Sequence, residues 1–286
     1  MVSDSAAIPR FPAAAQSLRL VQLTDTHLCQ QSGGTLLGMD TDHSLQAVIS
    51  QVQREQPHID LLLGTGDLSD KGAREAYERL EDYCAQFSAP CVWLPGNHDD
   101  RRQMQAAART ETRLSGEVHV GSWQVLLLDS QVPGEVGGEL GSGELARLAE
   151  ALERAAAAGL HTLVCLHHQP ERVGCAWLDE QMVADADAFW AIVERYSGVK
   201  AVLWGHVHQE IDRLRGGVRL LASPSTCVQF APGSVNFRAD DRPPGYRWLT
   251  LHGDGGVDTG VSRVTDVAFD VDLDSRGYLE TDRARG

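Results

Sequence analysis

The sequence predicts an α/β fold in which two mixed β-sheets pack face to face with helices on the outside. Three observations carry this reading. Short apolar runs alternate with segments whose apolar residues recur at helical spacing, the signature of strand–loop–helix units. The second half is richer in strand-like runs, and two stacked sheets would bury all of them. Finally, 286 residues that are 42 % apolar and 23 % charged can bury a sizeable core and are unlike a disordered chain. At about 150 residues per domain the length suggests two units, although sandwiches of this size are often single. No internal repeat or low-complexity linker divides the chain. Residues 1–286 therefore read as a single domain, with 1–16 and about 270–286 as loose tails.

The elements follow in order. Residues 18–23 read as a strand. A helix then opens near Asp40–Asp42, whose polar side chains can cap free amides, with Leu45, Val48, Ile49 and Val52 on one face. Residues 59–63 read as a buried strand, followed by a helix with Ala73, Ala76, Tyr77, Leu80, Cys84 and Phe87 on its inner face. Residues 91–94 form a third strand, ending at the turn-rich Pro95-Gly96-Asn97-His98. Strands are then expected at 123–128, 162–166 and 199–204, separated by helices near 144–158 and 187–196. Runs 211–215 and 218–222 flank Gly216-Gly217, which suits a tight hairpin because both glycines accept positive φ. Further strands are expected near 246–251 and 261–264.

Charge and targeting narrow the function. Lysine plus arginine number 25 against 40 aspartate plus glutamate, a net charge of −15. Such a surface repels a polyanion, so a nucleic-acid partner is not expected. The first residues carry Asp4 and lack the basic and apolar regions of a secretory signal. Apolar runs such as 61–63 and 125–128 fall far short of the roughly 18 residues that span a bilayer. The six cysteines contain no C-x-x-C pair, so reduced thiols and a cytoplasmic location are expected, with no membrane partner. Oligomeric state is left open.

Short polar clusters sit at the ends of the expected strands: Asp25-Thr26-His27, Gly66-Asp67, Gly96-Asn97-His98-Asp99, His167-His168 and Gly205-His206-Val207-His208. In open α/β sheets the carboxyl ends of strands are where ligands collect. The clusters offer carboxylate, amide oxygen and imidazole but no thiolate, a donor set suited to iron, manganese or zinc. Asp25 and His27 are two apart, so an extended backbone would turn both to one side, and His206 and His208 repeat the spacing. Gly205 lets the backbone approach closely. Asp67, from a different strand, could bridge two ions with its two oxygens, leaving Asn97 and His167 to complete the coordination of the second ion. Each cluster alone is commonplace. The five in this order are not.

At this point the sequence resembles the calcineurin-like metallophosphoesterase superfamily, whose ordered blocks are D-x-H, G-D, G-N-H-[DE], H and G-H-x-H. The likeness runs from Leu18 to about Arg263 and is closer still to the bacterial class III cyclic-AMP phosphodiesterases. It takes in Leu36-Leu37-Gly38, the 90–95 stretch, Leu128-Asp129-Ser130-Gln131, the 174–179 stretch and the 224–230 stretch. One departure is Gln169, where that subfamily often continues a histidine run. The resemblance implies a four-layer αββα sandwich holding two divalent or trivalent ions (Fe, Mn or Zn). One ion would take Asp25, His27, Asp67 and His208; the other Asp67, Asn97, His167 and His206. It implies a metal-bridging hydroxide and substrate contacts from His27, Asp67, Asn97, His98 and His208. His98 follows a ligand without being one and resembles the family's acid or transition-state stabiliser; Asp70 could orient it. His168 is expected to point away from His167, because strand residues alternate.

The expected activity is hydrolysis of 3′,5′-cyclic AMP to 5′-AMP, with a small cyclic nucleotide as partner. The alternative is a broader phosphodiesterase acting on glycerophosphodiesters or 2′,3′-cyclic nucleotides, which uses the same metal machinery with different pocket walls. A nuclease is disfavoured by charge. A non-catalytic scaffold is disfavoured because the ligand positions and His98 are all present.

Overall fold

A computed structural model describes residues 8–12 and 17–277 of the chain. The apolar runs are buried on both faces, which is why they read as continuous rather than alternating. Within Leu61–Thr65, Leu61 and Leu63 face the opposite sheet while Leu62 faces the helices. The period-2 alternation of a strand divides one run between two cores.

One sheet has seven strands in the order Arg10–Phe11, Glu117–Val120, Trp123–Leu127, His161–Cys165, Val199–Trp204, Val218–Ala222, Ile211–Arg215. The other has five, in the order Val257–Arg263, Gly245–His252, Ser17–Leu23, Leu61–Thr65, Cys91–Leu94. Both mix parallel and antiparallel pairs. Leu18, Leu20, Val92, Leu94, Val125, Leu163 and Leu203 fill the space between the sheets. Outside the smaller sheet, Val21, Leu23 and Trp93 pack with Leu45, Val48, Ile49, Tyr77 and Leu80 of helices Thr41–Glu55 and Arg74–Cys84. Outside the larger one, Leu126, Val164 and Val202 pack with Leu148, Leu152 and Phe189 of helices Gly141–Ala157 and Ala186–Val193. The architecture is the expected four-layer αββα sandwich.

Helix starts follow local chemistry. The Asp40 side chain accepts from the His43 N–H at 2.9 Å and caps the first helix, as its sequence position suggests. The Gly216-Gly217 hairpin forms with φ of 54° and 88°. Helix Arg101–Ala107, capped by the Asp100 side chain, escaped the sequence reading because it is short and mostly polar. Strand Val257–Arg263 is longer than the expected 261–264 run: it pairs with residues 245–251 while largely half-exposed, so apolar patterning does not announce it.

Parts of the two expected tails contact the body of the fold. Arg10 and Phe11 pair in parallel with His119 and Val120. Val271 packs on the core and the Asp272 N–H donates to the Leu37 carbonyl at 2.7 Å. The rest of both expected tails, 1–7, 13–16 and 278–286, lies outside the described residues. All six cysteines are free thiols. Among the described residues no helix is long and apolar enough to cross a membrane.

Candidate functional site

Strands Ser17–Leu23, Leu61–Thr65, Cys91–Leu94, His161–Cys165 and Val199–Trp204 all present their carboxyl ends to one place. Beyond those ends lie Asp25, Asp67, Asn97, His167 and His206, so the clusters of the sequence converge. Asp25, His27 and His208 bring one ligand atom each within 4.8 Å of one another, and so do Asp25, Asp67 and His167.

The local backbone differs from the extended geometry expected of D-x-H and H-x-H. Both pairs fall after their strands have ended, and Asp25, His27, Asp67, His206 and His208 have φ of 53°, 45°, 49°, 62° and 49°. Each is in the left-handed region, at roughly 1–2 kcal/mol per non-glycine residue. Tertiary hydrogen bonds hold them there: the Asp25 N–H donates to the Gly66 carbonyl at 3.0 Å and the His27 N–H to the Asp67 carbonyl at 2.9 Å. Strain concentrated on chemistry-bearing residues is typical of a functional site. The motif glycines make room for it. A Cβ on Gly205 would lie 2.3 Å from Thr24 Oγ1, and one on Gly96 2.3 Å from Asp67 Oδ1.

Hydrogen bonds fix which atoms face inward. His208 donates from Nδ1 to the Val228 carbonyl at 2.7 Å, which turns Nε2 toward Asp25 Oδ1 at 3.3 Å and His27 Nε2 at 3.3 Å. His167 donates from Nδ1 to the Thr65 carbonyl at 2.9 Å, which turns Nε2 toward Asp67 Oδ2 at 3.2 Å. Asp67 was expected to bridge with two oxygens. In the structure Oδ1 accepts the His98 N–H at 2.9 Å, and Oδ2 is the oxygen between His167 and His27, 3.8 Å from His27 Nε2. Asp25 is held by the Thr24 hydroxyl at 2.7 Å and the His206 N–H at 3.1 Å.

This donor set fits metal ions. Asp25 and Asp67 are buried, and no lysine or arginine pairs with either carboxylate among the described residues. Asn97 Oδ1 is buried without a hydrogen-bond partner. Burial opposes charge on His167, but Asp67 and Asp25 override it and push the imidazole up to about 9. Burial would raise the Asp67 carboxyl, yet His167, His98 and His27 hold it well below the usual range.

His98 and Asp70 are also brought together, through an unexpected atom. His98 donates from Nδ1 to the Asp70 main-chain carbonyl at 2.8 Å, while the Asp70 carboxylate stands 4.0 Å from both His98 Nδ1 and His27 Nδ1. Burial works against a charged His98, but Asp67 and the Asp70 carbonyl raise its pKa above the ordinary value.

His168 does not point away. The strand has ended at Cys165, and its ring packs 4.9 Å from that of His167 and 4.7 Å from that of His206. Both its nitrogens are engaged: Nδ1 accepts from Ser130 Oγ at 2.8 Å and Nε2 donates to the Val136 carbonyl at 3.1 Å. Burial and neighbouring His167 lower it to about 3, and the neutral ring, held at both nitrogens, braces His167 and His206.

Several supporting residues have roles that only the fold reveals. The Asp99 carboxylate accepts from the N–H groups of Leu68, Ser69 and Gly96 and from the Tyr77 hydroxyl, tying the Asp67 loop to the Asn97 loop. Gln131 donates to the carbonyls of Gly96 and Asp99. Gln181 Oε1 lies 3.0 Å from His206 Nε2. Asp99 and Gln131 stand inside stretches quoted for the resemblance, but their roles depend on contacts that spacing does not reveal.

Comparison with known proteins agrees with this geometry. Residues 18–210 match the model of the calcineurin-like phosphoesterase family. A Pseudomonas aeruginosa protein named 3′,5′-cyclic adenosine monophosphate phosphodiesterase CpdA is 49 % identical over 267 residues, 93 % of this chain and 97 % of that one. The protein of the same name from Escherichia coli K12 is 43 % identical over 275 residues, 94 % and 98 % of the two chains. In fold, a dimetal phosphatase from Danio rerio superposes with a TM-score of 0.60 at 14 % identity, covering 87 % of this chain and 99 % of that one. A purple acid phosphatase from yellow lupin gives a TM-score of 0.60 at 14 % identity, covering 91 % and 54 %. The sandwich, the five converging clusters and these matches place the chain in the calcineurin-like phosphoesterase family.

Proposed function

We propose that this chain is a dinuclear metal-dependent phosphodiesterase that hydrolyses 3′,5′-cyclic AMP to 5′-AMP. The observation that carries the reading is the convergence of two sets of donors on Asp67 Oδ2. Asp25, His27 and His208 bring ligand atoms within 4.8 Å of one another, as do Asp25, Asp67 and His167, and the first three are assigned to one ion and Asn97, His167 and His206 to the other, with Asp67 shared. The donors are oxygens and imidazoles, suited to Fe, Mn or Zn. The substrate class is supported by the relatives named cyclic-AMP phosphodiesterases, which align with this chain almost end to end.

When bound, the two cations lower the pKa of a water and neutralise charge on the phosphoryl oxygens. The chain's own part is to hold and to deliver a proton. His98 is oriented by the Asp70 carbonyl at Nδ1, so the proton that moves to the departing 3′ oxygen is the one on Nε2. Asp70 thus acts through its carbonyl more directly than through its carboxylate. His27, Asp67, Asn97, His98 and His208 line the position of the phosphate. A singly charged cyclic nucleotide needs no basic surface, whereas the net charge of −15 disfavours nucleic acid. The proposed setting is the cytoplasm, with the sandwich working as a single domain.

The test is a kinetic panel of metal-reconstituted protein on cyclic AMP, cyclic GMP, 2′,3′-cyclic AMP, glycerophosphodiesters and DNA, with chromatography of the products. Cyclic AMP is expected to be preferred, with 5′-AMP as sole product and little DNA cleavage. Mainly 3′-AMP would refute the proposed orientation. Preference for a glycerophosphodiester or a 2′,3′-cyclic nucleotide would favour the broader activity.

A further inference from the structure

The histidines proposed as ligands at His167, His206 and His208 are not oriented alike. His167 and His208 donate their outward nitrogens to the main-chain carbonyls of Thr65 and Val228. His206 is different: its outward nitrogen, Nε2, meets a side chain, the Gln181 amide, at 3.0 Å. We propose that Gln181 is a positioning residue that fixes the tautomer of His206 and thereby sets the affinity of the ion held by Asn97, His167 and His206. The inference rests on the ligand assignment made above.

The argument is one of donor and acceptor count. A neutral imidazole carries one N–H and one lone pair. Gln181 Oε1 accepts, so the N–H is at Nε2 and the lone pair is at Nδ1, the nitrogen left for a metal. With no acceptor at this position the ring can swap tautomers or rotate, and each alternative removes a ligand atom. Outer partners of metal-bound histidines commonly change affinity by roughly 10–100-fold.

The backbone around Gln181 is built to hold this contact. The Gln181 N–H donates to the Leu178 carbonyl at 2.9 Å, and Gln169 donates from its side chain to that same carbonyl. Val183 donates its N–H to the Gln169 carbonyl at 3.0 Å, and Ala184 donates to the Gly138 carbonyl at 2.8 Å. Leu178 and Val183 are buried on either side of Gln181, itself half-buried. Gln169, the departure noted in the sequence, therefore anchors the segment that reaches His206.

The deciding experiment titrates metal-free, full-length protein with Mn²⁺ alone, following both binding steps by calorimetry, with thermal unfolding of each metal-free variant as a folding check. Gln181→Ala is expected to weaken one step by about 10–100-fold and leave the other within about twofold. Gln181→Glu keeps an acceptor oxygen and is expected to stay within about threefold of wild type in both steps. Wild-type binding by Gln181→Ala would overturn the proposal, as would equal weakening by Ala and Glu. His206→Ala is run in parallel. If it binds both ions normally, the ligand assignment falls and the inference with it. If it loses an ion while Gln181→Ala does not, the inference alone fails.

Discussion

The His98 main-chain N–H donates to Asp67 Oδ1 at 2.9 Å, so one carboxylate both positions the proposed acid and faces the proposed ions. With Oδ1 committed to the His98 loop, Oδ2 is left 3.2 Å from His167 Nε2 and 3.8 Å from His27 Nε2. Metal binding and placement of His98 are thereby coupled through a single side chain.

Asp67→Ala is therefore expected to remove more than any other ligand substitution. Metal analysis should find one or both ions missing, whereas His206→Ala and His208→Ala should each weaken a different ion. A full complement of metal in Asp67→Ala would rule out the bridging role.

His98→Ala tests the proton. The variant should keep its metals but turn over cyclic AMP about 10²–10⁴-fold more slowly. A diester with a nitrophenolate leaving group needs no proton on departure and should lose far less. Equal losses on both substrates would point to phosphate positioning instead.

Gly205→Ala tests the close approach. Its Cβ would lie 2.3 Å from Thr24 Oγ1 and 2.7 Å from Asp25 Oδ2, the two atoms that hydrogen-bond each other. Overpacking of this kind costs about 1–3 kcal/mol. The expected result is a lowered unfolding midpoint together with reduced metal content, measured on the same preparation. Wild-type metal content would show that the loop can yield without moving Asp25.

Away from the site, Glu117 predicts a pH dependence of stability. Burial would raise its carboxyl, but donors on Gln124, His119 and Arg154 hold it below the ordinary value. A depressed carboxyl pKa stabilises the fold above the unfolded-state value, and that contribution is lost as pH falls through the folded one. Glu117→Gln should thus cost about 1–2 kcal/mol at neutral pH, with the difference shrinking below about pH 4. Urea unfolding at both pH values would show it, and a pH-independent difference would contradict it.

The sequence by itself determined the layers and the inventory of the site. Runs such as 61–63 are apolar at successive positions because both faces of the strand are buried, and that shows in one dimension. The polar clusters follow these runs because the chain must leave the sheet there. Their order was enough to suggest the family and the donor atoms. Only the tertiary structure decided how the donors are held. The left-handed backbone at Asp25, His27, Asp67, His206 and His208 is imposed partly by bonds to distant loops, such as Asp25 to Gly66. Asp70 orients His98 through a carbonyl, a group that every residue carries and no motif can mark. His168 turns toward the site because its strand has already ended, and Ser130 and Val136 meet it from another segment. Gln181 reaches His206 from 25 residues away along a loop with no periodicity to read. Spacing records which residues neighbour one another along a chain; the contacts that orient a ligand are made by residues that only folding brings near.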